Sequence, residues 1–435
     1  MRQTWNLIGG ERLAPPHQHL DLLAARASVV IHRHPTSPGQ LITAAPGAGP
    51  RRAVRIRGRV RQIRPTTALI DLDAVVFNWQ QLTALVGPRC PVIAAVKGDA
   101  YGHGAVAVAR ALQTAGARHF GVALVEEGAS LREGGVTGLV LCMGGVGRHG
   151  ADVAVEAGLT PVVYDVGDAE RLDAAARQRG TRLPVHLKVD TGMGRLGVPL
   201  PDWTRFLDRI AHLRHLDVEG LMTHFAESEN PDTTFTLEQA RRFQTAVASA
   251  RRRGVHPRIL HVCNSGAILT QPILRLDAVR AGIALYGLAP AEWLSGRLPL
   301  RPAMRVESQV LFVRDLPAGA SVSYNRRFVT KRPSRIATLP VGYADGWPRA
   351  LSNRGEVLIG GRRCPVVGTV CMDLCMVDVT EVQSPVETGD PVVLLGEMGQ
   401  ERLDANEIAQ AAGTIPYEIL CGFSERVPRR HGLGQ

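Results

Sequence analysis

The 435-residue chain is 45% hydrophobic and 21% charged, so it can bury a large core, and its length predicts two domains. No apolar run approaches the roughly 20 residues that a membrane-spanning helix needs. The seven cysteines are an odd number spread along the chain, which argues against a disulfide framework, and no Cys/His cluster predicts a metal site. We therefore expect a cytoplasmic protein with neither a membrane segment nor a metal.

The net charge of +11 belongs mostly to the start of the chain. Residues 1–66 contain eleven arginines but only Glu11 and Asp21 as acids. Prolines and glycines between residues 35 and 50 are typical of a flexible linker. We predict residues 1–65 to be a basic, Pro/Gly-rich extension that is disordered, or that reflects a start codon placed too far upstream. Contact with RNA or an anionic surface is the alternative, although the nearly neutral remainder does not favour nucleic acid as a partner.

From residue 67 onward, strand and helix patterns alternate. A first strand over 68–72 precedes a helix that Asp73 can cap, and Thr236 with Gln239 forms a plausible capping box for a later helix. Eight more strand signals follow the first, over 92–96, 120–124, 139–143, 161–164, 185–189, 218–222, 259–263 and 278–280. This alternation predicts a (β/α)8 barrel over 66–300, with an open doubly wound sheet as the alternative. The first strand can instead pack with the domain that follows.

After residue 300 the pattern changes. Short strand-like runs alternate with Gly, Pro and Asp turns, which predicts a C-terminal, mostly antiparallel β-domain over 301–435. We expect one helix in this domain, over 407–412.

One strand end carries an unusual residue. Only three of the 51 basic residues are lysines, and one of them, Lys97, follows a buried apolar strand and precedes a glycine-rich turn. A desolvated lysine can lose its proton and form an imine, which an arginine cannot do. Other predicted strand ends carry polar residues that a barrel would bring to the same mouth: Asp190, Arg195, His224, Asn264, Ser265 and Arg280.

The segment 92–104, VIAAVKGDAYGHG, resembles the pyridoxal-phosphate (PLP) lysine motif of alanine racemases, with Gly98 where the family usually has alanine. Seven further segments resemble that family in chain order: KVDTGMGRLG (188–197), MTHFA (222–226), DAVRAGIALYG (277–287), VSYN (322–325), VGYADG (341–346), VCMD (370–373) and GTIPYE (413–418). The resemblance runs from about residue 67 to residue 430. It implies PLP as the cofactor, interconversion of L- and D-alanine for peptidoglycan, and a homodimer with an active site shared between subunits.

The resemblance also implies a role for each matching residue. Lys97 would hold PLP as a Schiff base and act as one catalytic base, and Tyr324 from the neighbouring subunit would be the other. Arg280 would face the pyridine nitrogen, and Arg195 would bond the phenolic oxygen and orient the substrate carboxylate. The remaining cofactor residues are His224 near the ring, Asn264, and the phosphate partners Tyr101, Ser265, Gly282, Ile283 and Tyr417. Met372, Asp373 and Tyr343 would contact the substrate or shape its entrance, and Lys188 matches a position that is carbamylated in some members.

Three alternatives remain open at this point. A racemase of broader specificity, or one for serine, would use the same fold. A non-catalytic PLP-binding barrel protein would stop after the barrel, whereas this chain continues into a β-domain with Tyr324. A decarboxylase of the same barrel type would need an acidic partner at the pyridine nitrogen, where the resemblance places Arg280.

Overall fold

The computed structural model describes residues 63–432, so the predictions for residues 1–62 and for the last three residues lie outside the described part. Strand β1 (Thr67–Asp71) leads into helix α1 (Leu72–Val86). The side chain of Asp71 caps this helix by accepting the N–H of Ala74 at 2.8 Å. The prediction that Asp73 caps it was wrong, because Asp73 lies within the first turn.

Eight parallel strands form a barrel, as predicted. They pair in the order β10-β2-β3-β4-β5-β6-β8-β9, and backbone hydrogen bonds from Asp277 to Leu260 (3.0 Å) and from Arg280 to Cys263 (2.9 Å) join β9 to β10. A two-residue strand, β7 (Val198–Pro199), adds to β6. The eight strands are β2 (Val92–Ala95), β3 (His119–Val122), β4 (Leu139–Cys142), β5 (Thr160–Val163), β6 (Leu183–Asp190), β8 (Leu216–Met222), β9 (Ile259–His261) and β10 (Val279–Ala281).

Helical segments connect the strands of this barrel. They are α2 (Lys97–Gly102), α3 (Ala105–Thr114), α4 (Val125–Glu133), α5 (Ala151–Glu156), α6 (Val166–Gln178), α7 (Trp203–Ile210), α8 (Thr234–Arg252) and α9 (Ser265–Thr270). The predicted capping box was wrong, since α8 begins two residues before Thr236 and no side chain caps it. Gln239 is instead buried, accepts the N–H of Ala226 at 2.9 Å and donates to the carbonyl of His224 at 3.2 Å. It therefore fixes the loop that carries His224.

Antiparallel sheets follow the barrel, which confirms the predicted β-domain. The largest has the order β17-β16-β19-β11-β1-β21, so β1 belongs to it, pairing antiparallel with β11 and parallel with β21. A three-stranded sheet (β12-β15-β18) and the hairpin β13-β14 complete the domain, and β20 pairs with β19. Their bounds are β11 (Met304–Gln309), β12 (Phe312–Leu316), β13 (Ser321–Val322), β14 (Phe328–Val329), β15 (Ser334–Leu339), β16 (Glu356–Ile359), β17 (Arg362–Pro365), β18 (Cys375–Asp378), β19 (Pro391–Met398), β20 (Glu401–Leu403) and β21 (Arg429–Gly432).

Two helices, not the single predicted one, lie near the end of the chain. Helix α10 (Ala405–Ala412) is capped by Asp404 and ends at Gly413, whose φ is 73°. Helix α11 (Pro416–Gly422) starts with proline at its first position, a start signal that the sequence prediction overlooked. Helix α11 packs on α2 so closely that a Cβ at Gly102 would lie 2.4 Å from the carbonyl oxygen of Leu420.

None of the helices between residues 63 and 432 is long and apolar enough to cross a membrane. No three His, Cys, Asp or Glu side chains in the same range gather closely enough to hold a metal ion.

Candidate active site

Lys97 stands where β2 ends, at the start of a left-handed turn. The four residues that follow it have φ values of 61° (Gly98), 52° (Asp99), 54° (Ala100) and 54° (Tyr101). Each non-glycine residue in this conformation costs roughly 1–2 kcal/mol, so the turn needs support from outside. Glu127 supplies part of it, accepting the N–H of Gly98 at 2.7 Å through one carboxylate oxygen and the N–H of Ala123 at 2.7 Å through the other.

The turn fixes Tyr101 inside an aromatic cluster. Its ring centroid lies 4.8 Å from that of Tyr286 and 6.0 Å from that of Tyr417, which comes from α11. Tyr286 is held in turn by donating to the carbonyl of Ala95 at 2.8 Å. Burial raises the pKa of Tyr417 to about 12 and raises that of Tyr101 as well. Both phenols therefore keep their protons at neutral pH and can donate to an anion.

Hydroxyl and backbone N–H groups converge beside Tyr101. The N–H of Gly282 donates to Ser265 Oγ at 2.8 Å, and a Cβ at Gly282 would lie 2.7 Å from the Tyr101 hydroxyl. Asn264 caps α9 by accepting the N–H of Ala267 at 3.0 Å, which places Ser265 at the start of that helix, and Ile283 starts a buried 3-10 turn over 283–286. The space beside Gly282 is open only because glycine has no side chain, and neutral hydrogen-bond donors surround it. Such a space suits a phosphate group. We call Tyr101, Ser265, Gly282 and Ile283 the phosphate cradle.

Arg280 is a fully buried cation next to this cradle. Its guanidinium donates to the carbonyls of Thr223 (2.7 Å) and Val262 (2.9 Å), and it lies 3.4 Å from His224 Nδ1. Burial lowers the pKa of Arg280 to about 10, which still leaves it charged at neutral pH. An arginine cannot accept a hydrogen bond, so a ring nitrogen facing it must be unprotonated.

Two histidines that the sequence reasoning missed support Arg280. Arg280 Nη1 lies 2.8 Å from His261 Nδ1, and His261 Nε2 lies 2.8 Å from His186 Nδ1. Because arginine must donate, His261 accepts at Nδ1 and donates from Nε2, so His186 points its remaining nitrogen at Glu219, 3.7 Å away. Burial lowers the pKa of both imidazoles, which keeps them neutral. Residues two apart in a strand face the same side of a sheet. The only sequence signal for the inward positions of His186 and His261 was therefore that they lie two residues before Lys188 and Cys263, respectively.

The lysines of the site are surrounded by cations. Burial lowers the pKa of Lys97, and the neighbouring Arg195 lowers it further, whereas Glu127 opposes the shift. Burial, with Arg280 and Arg195, lowers the pKa of Lys188 to about 8. The pKa of His224 lies well below its usual value for the same reasons. These shifts favour neutral amines and a neutral imidazole at the barrel mouth.

The loop that carries Arg195 folds around one carboxylate. Asp190, at the end of β6, accepts the N–H groups of Gly192 and Met193, both at 2.9 Å, and that of Gly194 at 3.0 Å. The structure thus brings Lys97, Lys188, Arg195, His224 and Arg280 near one another and near the phosphate cradle.

The four remaining predicted residues lie in the β-domain. Tyr324 is 67% exposed and sits between Ser323 (φ 66°) and Asn325 (φ 60°). Ser323 Oγ donates to the carbonyl of Thr369 at 2.6 Å, and Thr369 Oγ1 donates to the carbonyl of Tyr324 at 3.1 Å. These two bonds fix the backbone on which the tyrosine projects outward.

Tyr343 and Met372 lie on two loops that are bonded to each other. The N–H of Tyr343 donates to the carbonyl of Cys371 and that of Ala344 to the carbonyl of Met372, both at 3.0 Å. The side chains of Tyr343 (42%) and Met372 (53%) are exposed. Within residues 63–432, no hydrogen bond or ion pair joins Tyr324, Tyr343, Met372 or Asp373 to Lys97 or Arg280. Of the predicted site residues in the described part of the β-domain, only Tyr417 contacts the barrel group, through Tyr101.

Comparison with known proteins gives a family match for each of the two parts of the chain that carry these residues. The family profile "Alanine racemase, N-terminal domain" matches residues 70–290, and "Alanine racemase, C-terminal domain" matches residues 303–431. "Alanine racemase 2" of Caldanaerobacter subterraneus subsp. tengcongensis is 43% identical over 369 residues, covering 85% of this chain and 95% of the relative. The alanine racemase of Geobacter sulfurreducens is 44% identical over 370 residues, covering 84% and 97%.

Solved structures agree with this result. The alanine racemase of Streptomyces lavendulae superimposes with a TM-score of 0.82 at 38% identity, over 86% of this chain and 98% of that one. That of Bacillus anthracis, with bound L-Ala-P, gives 0.79 at 34% identity, over 85% and 96%. That of Bartonella henselae, with covalently bound pyridoxal phosphate, gives 0.76 at 31% identity, over 85% and 99%. The chain therefore belongs to the alanine racemase family, and it is a pyridoxal-phosphate-dependent racemase.

Proposed function

We propose that Lys97 and Tyr324 are the two acid–base residues of alanine racemisation, and that a second copy of the chain supplies Tyr324 to the site of the first. The proposal rests on the separation of Tyr324 from Lys97 within one chain. Tyr324 projects from the β-domain into solvent, 67% exposed, while Lys97 lies in the barrel mouth beside Arg195 and Arg280. A symmetric pair of chains would place each tyrosine at the other chain's lysine.

Racemisation removes the proton from the α-carbon on one face of the substrate and returns one on the other face. Bound PLP, joined to the substrate's amino group, supplies a conjugated ring that accepts the negative charge left on that carbon. Lys97 Nζ would move the proton on one face and Tyr324 Oη on the other. The lowered pKa of Lys97 suits this role, because a base must be neutral before it can take a proton.

Arg280 limits how far the charge spreads. Its four donor contacts with His261, Thr223 and Val262 fix the guanidinium in place. Facing a pyridine nitrogen, it would keep that nitrogen unprotonated, which makes the ring a weaker electron acceptor than an acidic partner would. We expect this arrangement to suppress side reactions such as transamination, and it disfavours the decarboxylase alternative.

The substrate carboxylate would be held from two directions. Arg195, on the loop folded around Asp190, presents a cation at the barrel mouth. Met372 would offer its backbone N–H from the β-domain, beside Asp373, with Tyr343 shaping the entrance. The match of the C-terminal domain profile to residues 303–431 disfavours the non-catalytic barrel alternative, because such proteins lack this domain.

Racemisation assays with single and mixed variants test the proposal. Purified protein is assayed with L-alanine, L-serine and L-lysine, and we expect alanine to react fastest.

Tyr324→Phe should lower kcat by about 10²–10⁴-fold without loss of the cofactor's absorbance. Co-expression of Lys97→Ala with Tyr324→Phe should recover about a quarter of wild-type activity, because half of the randomly paired dimers contain one intact site out of two. A site formed within one chain would recover nothing, and faster turnover of serine would favour the alternative specificity.

A further inference from the structure

The loops of Tyr343 and Met372 behave as one structural unit. We call residues 342–346 and 371–373 the paired loops. Besides the two backbone hydrogen bonds already described, they approach so closely at Gly342 that a Cβ there would lie 2.3 Å from the carbonyl oxygen of Cys371. Any movement of one loop must therefore carry the other with it.

A buried carboxylate anchors the paired loops. Asp345 is completely buried, and its Oδ2 accepts the N–H of Gly342 at 2.9 Å. Burying a carboxylate is costly unless it is fully paired. Two arginines from the opposite ends of the described chain pair with it, namely Arg64, just before β1, and Arg426, after α11.

Arg64 makes the larger set of contacts. Its two Nη atoms bond the two carboxylate oxygens of Asp345, the second at 2.6 Å. Nη2 also donates to the carbonyl of Pro340 at 2.6 Å and lies 3.5 Å from that of Asp373. Arg426 Nε lies 3.3 Å from Asp345 Oδ1, and its Nη2 donates to Asp373 Oδ1 at 2.7 Å. Both arginines thus touch both loops.

We propose that Arg64, with Arg426, is a positioning residue that fixes the paired loops through the Asp345 carboxylate and so sets the affinity for the substrate carboxylate. The inference rests on the proposed role of Met372 and Tyr343 at the substrate. The guanidinium of Arg64 bonds Asp345, the carbonyl of Pro340 and the backbone of Asp373, so its proposed role is to position the loops.

Loss of Arg64 should weaken binding more than it slows the chemical step. The paired loops would keep Arg426 and their mutual hydrogen bonds but lose the contact that ties them to β1. A shift of about 1 Å at Met372 is enough to misplace its N–H. We expect KM for alanine to rise about 10-fold while kcat changes by less than about 3-fold, which is the pattern for a lost interaction that stabilises the bound substrate and the transition state equally.

The test uses the full-length holoenzyme with Arg64→Gln and Arg64→Lys. Arg363→Gln is the matched control, because Arg363 also joins several carboxylates of the β-domain but touches neither paired loop. Hydrogen exchange is followed at the N–H groups of Tyr343 and Ala344, which close the loop pair. Binding of propionate, an alanine-sized carboxylate without the amino group, is measured by calorimetry.

We expect Arg64→Gln to speed exchange at the paired loops but not around Lys97, to weaken propionate binding about 10-fold, and to leave the cofactor's absorbance unchanged. Arg64→Lys should fall between Arg64→Gln and wild type. Unchanged exchange and KM in Arg64→Gln would overturn the proposal, as would equal changes in Arg363→Gln.

A variant that fails to fold because Asp345 has lost its main partner is replaced by Arg64→Gln/Asp345→Asn, which removes the buried charge that Arg64 balances. This double variant should fold and still show the raised KM, and a wild-type KM in it would overturn the inference. The exchange result stands even if wild type does not racemise alanine, so failure of the proposed function can be told apart from failure of this inference.

Discussion

Gly282→Ala tests the phosphate cradle with a single added methyl group. Its Cβ would lie 2.7 Å from the Tyr101 hydroxyl and 3.7 Å from Ser265 Oγ. Tyr101 cannot swing aside freely, because its ring packs 4.8 Å from that of Tyr286 and its backbone belongs to the left-handed turn. The methyl group would therefore occupy the space where we expect a phosphate to bind.

The size of the effect follows from the distance. Moving the hydroxyl from 2.7 Å to an ordinary contact of 3.4 Å needs a shift of about 0.7 Å in a closely packed region. Adding one methyl group to such a region costs about 1–3 kcal/mol. If that cost falls on the cradle, the dissociation constant of PLP rises about 5- to 150-fold.

The assay is titration of PLP into apoprotein, followed by the cofactor's absorbance. Gly432→Ala is the control, because nothing lies within 4 Å of a Cβ there and its backbone is not left-handed. PLP affinity unchanged in Gly282→Ala would refute the cradle. A loss of thermal stability in the apoprotein that is accompanied by no change in PLP affinity would refute it equally.

Three further predictions concern other parts of the site. Burial beside Arg280 and Arg195 lowers the pKa of Lys188 to about 8, so its neutral, CO₂-reactive form should increase as the pH rises from about 7 to about 9. A ¹³C carbamate signal, absent in Lys188→Gln, should grow over that range at fixed dissolved CO₂, and no signal at any pH would exclude carbamylation. Thr369→Val removes the hydrogen bond to the Tyr324 carbonyl and should lower kcat about 10-fold, with PLP affinity unchanged. An unaltered kcat would show that the hydrogen bond of Ser323 is enough to hold Tyr324 in place. Deleting residues 1–62 should leave KM for alanine unchanged, whereas deleting residues 1–64 should raise it, and equal KM values would argue against Arg64.

The sequence predicted the barrel well, because parallel strands buried on both faces read as apolar runs. Each of the eight predicted strands overlaps an observed one. Helix starts were less predictable, because several polar residues near a helix end can cap it. Asp71 rather than Asp73 caps α1. In α8, Thr236 and Gln239 are buried instead of capping the helix, and Gln239 bonds the carbonyl of His224. Tertiary contacts decide which of these residues caps the helix, and such contacts cannot be read from the neighbouring sequence.

The site residues followed from motifs, but their supports did not. His186 and His261 lie on strands β6 and β9, 75 positions apart, and meet only because the barrel curves. Glu127 reaches Gly98 across 29 residues, and Arg64 reaches Asp345 across 281. A side chain that acts by bonding a distant backbone leaves no spacing pattern in the sequence.

Both proposed bases lie beside residues with positive φ, which explains why supports from distant parts of the chain are needed. Lys97 precedes three non-glycine residues with positive φ, and Tyr324 is flanked by Ser323 and Asn325, which also have positive φ. Such residues each cost about 1–3 kcal/mol and persist only where the surroundings over-determine them. Glu127 and Arg429 brace the first turn, and Thr369 braces the second. A base held this way does not need to reorganise before it takes a proton, so weakening a brace should slow proton transfer before it unfolds the protein.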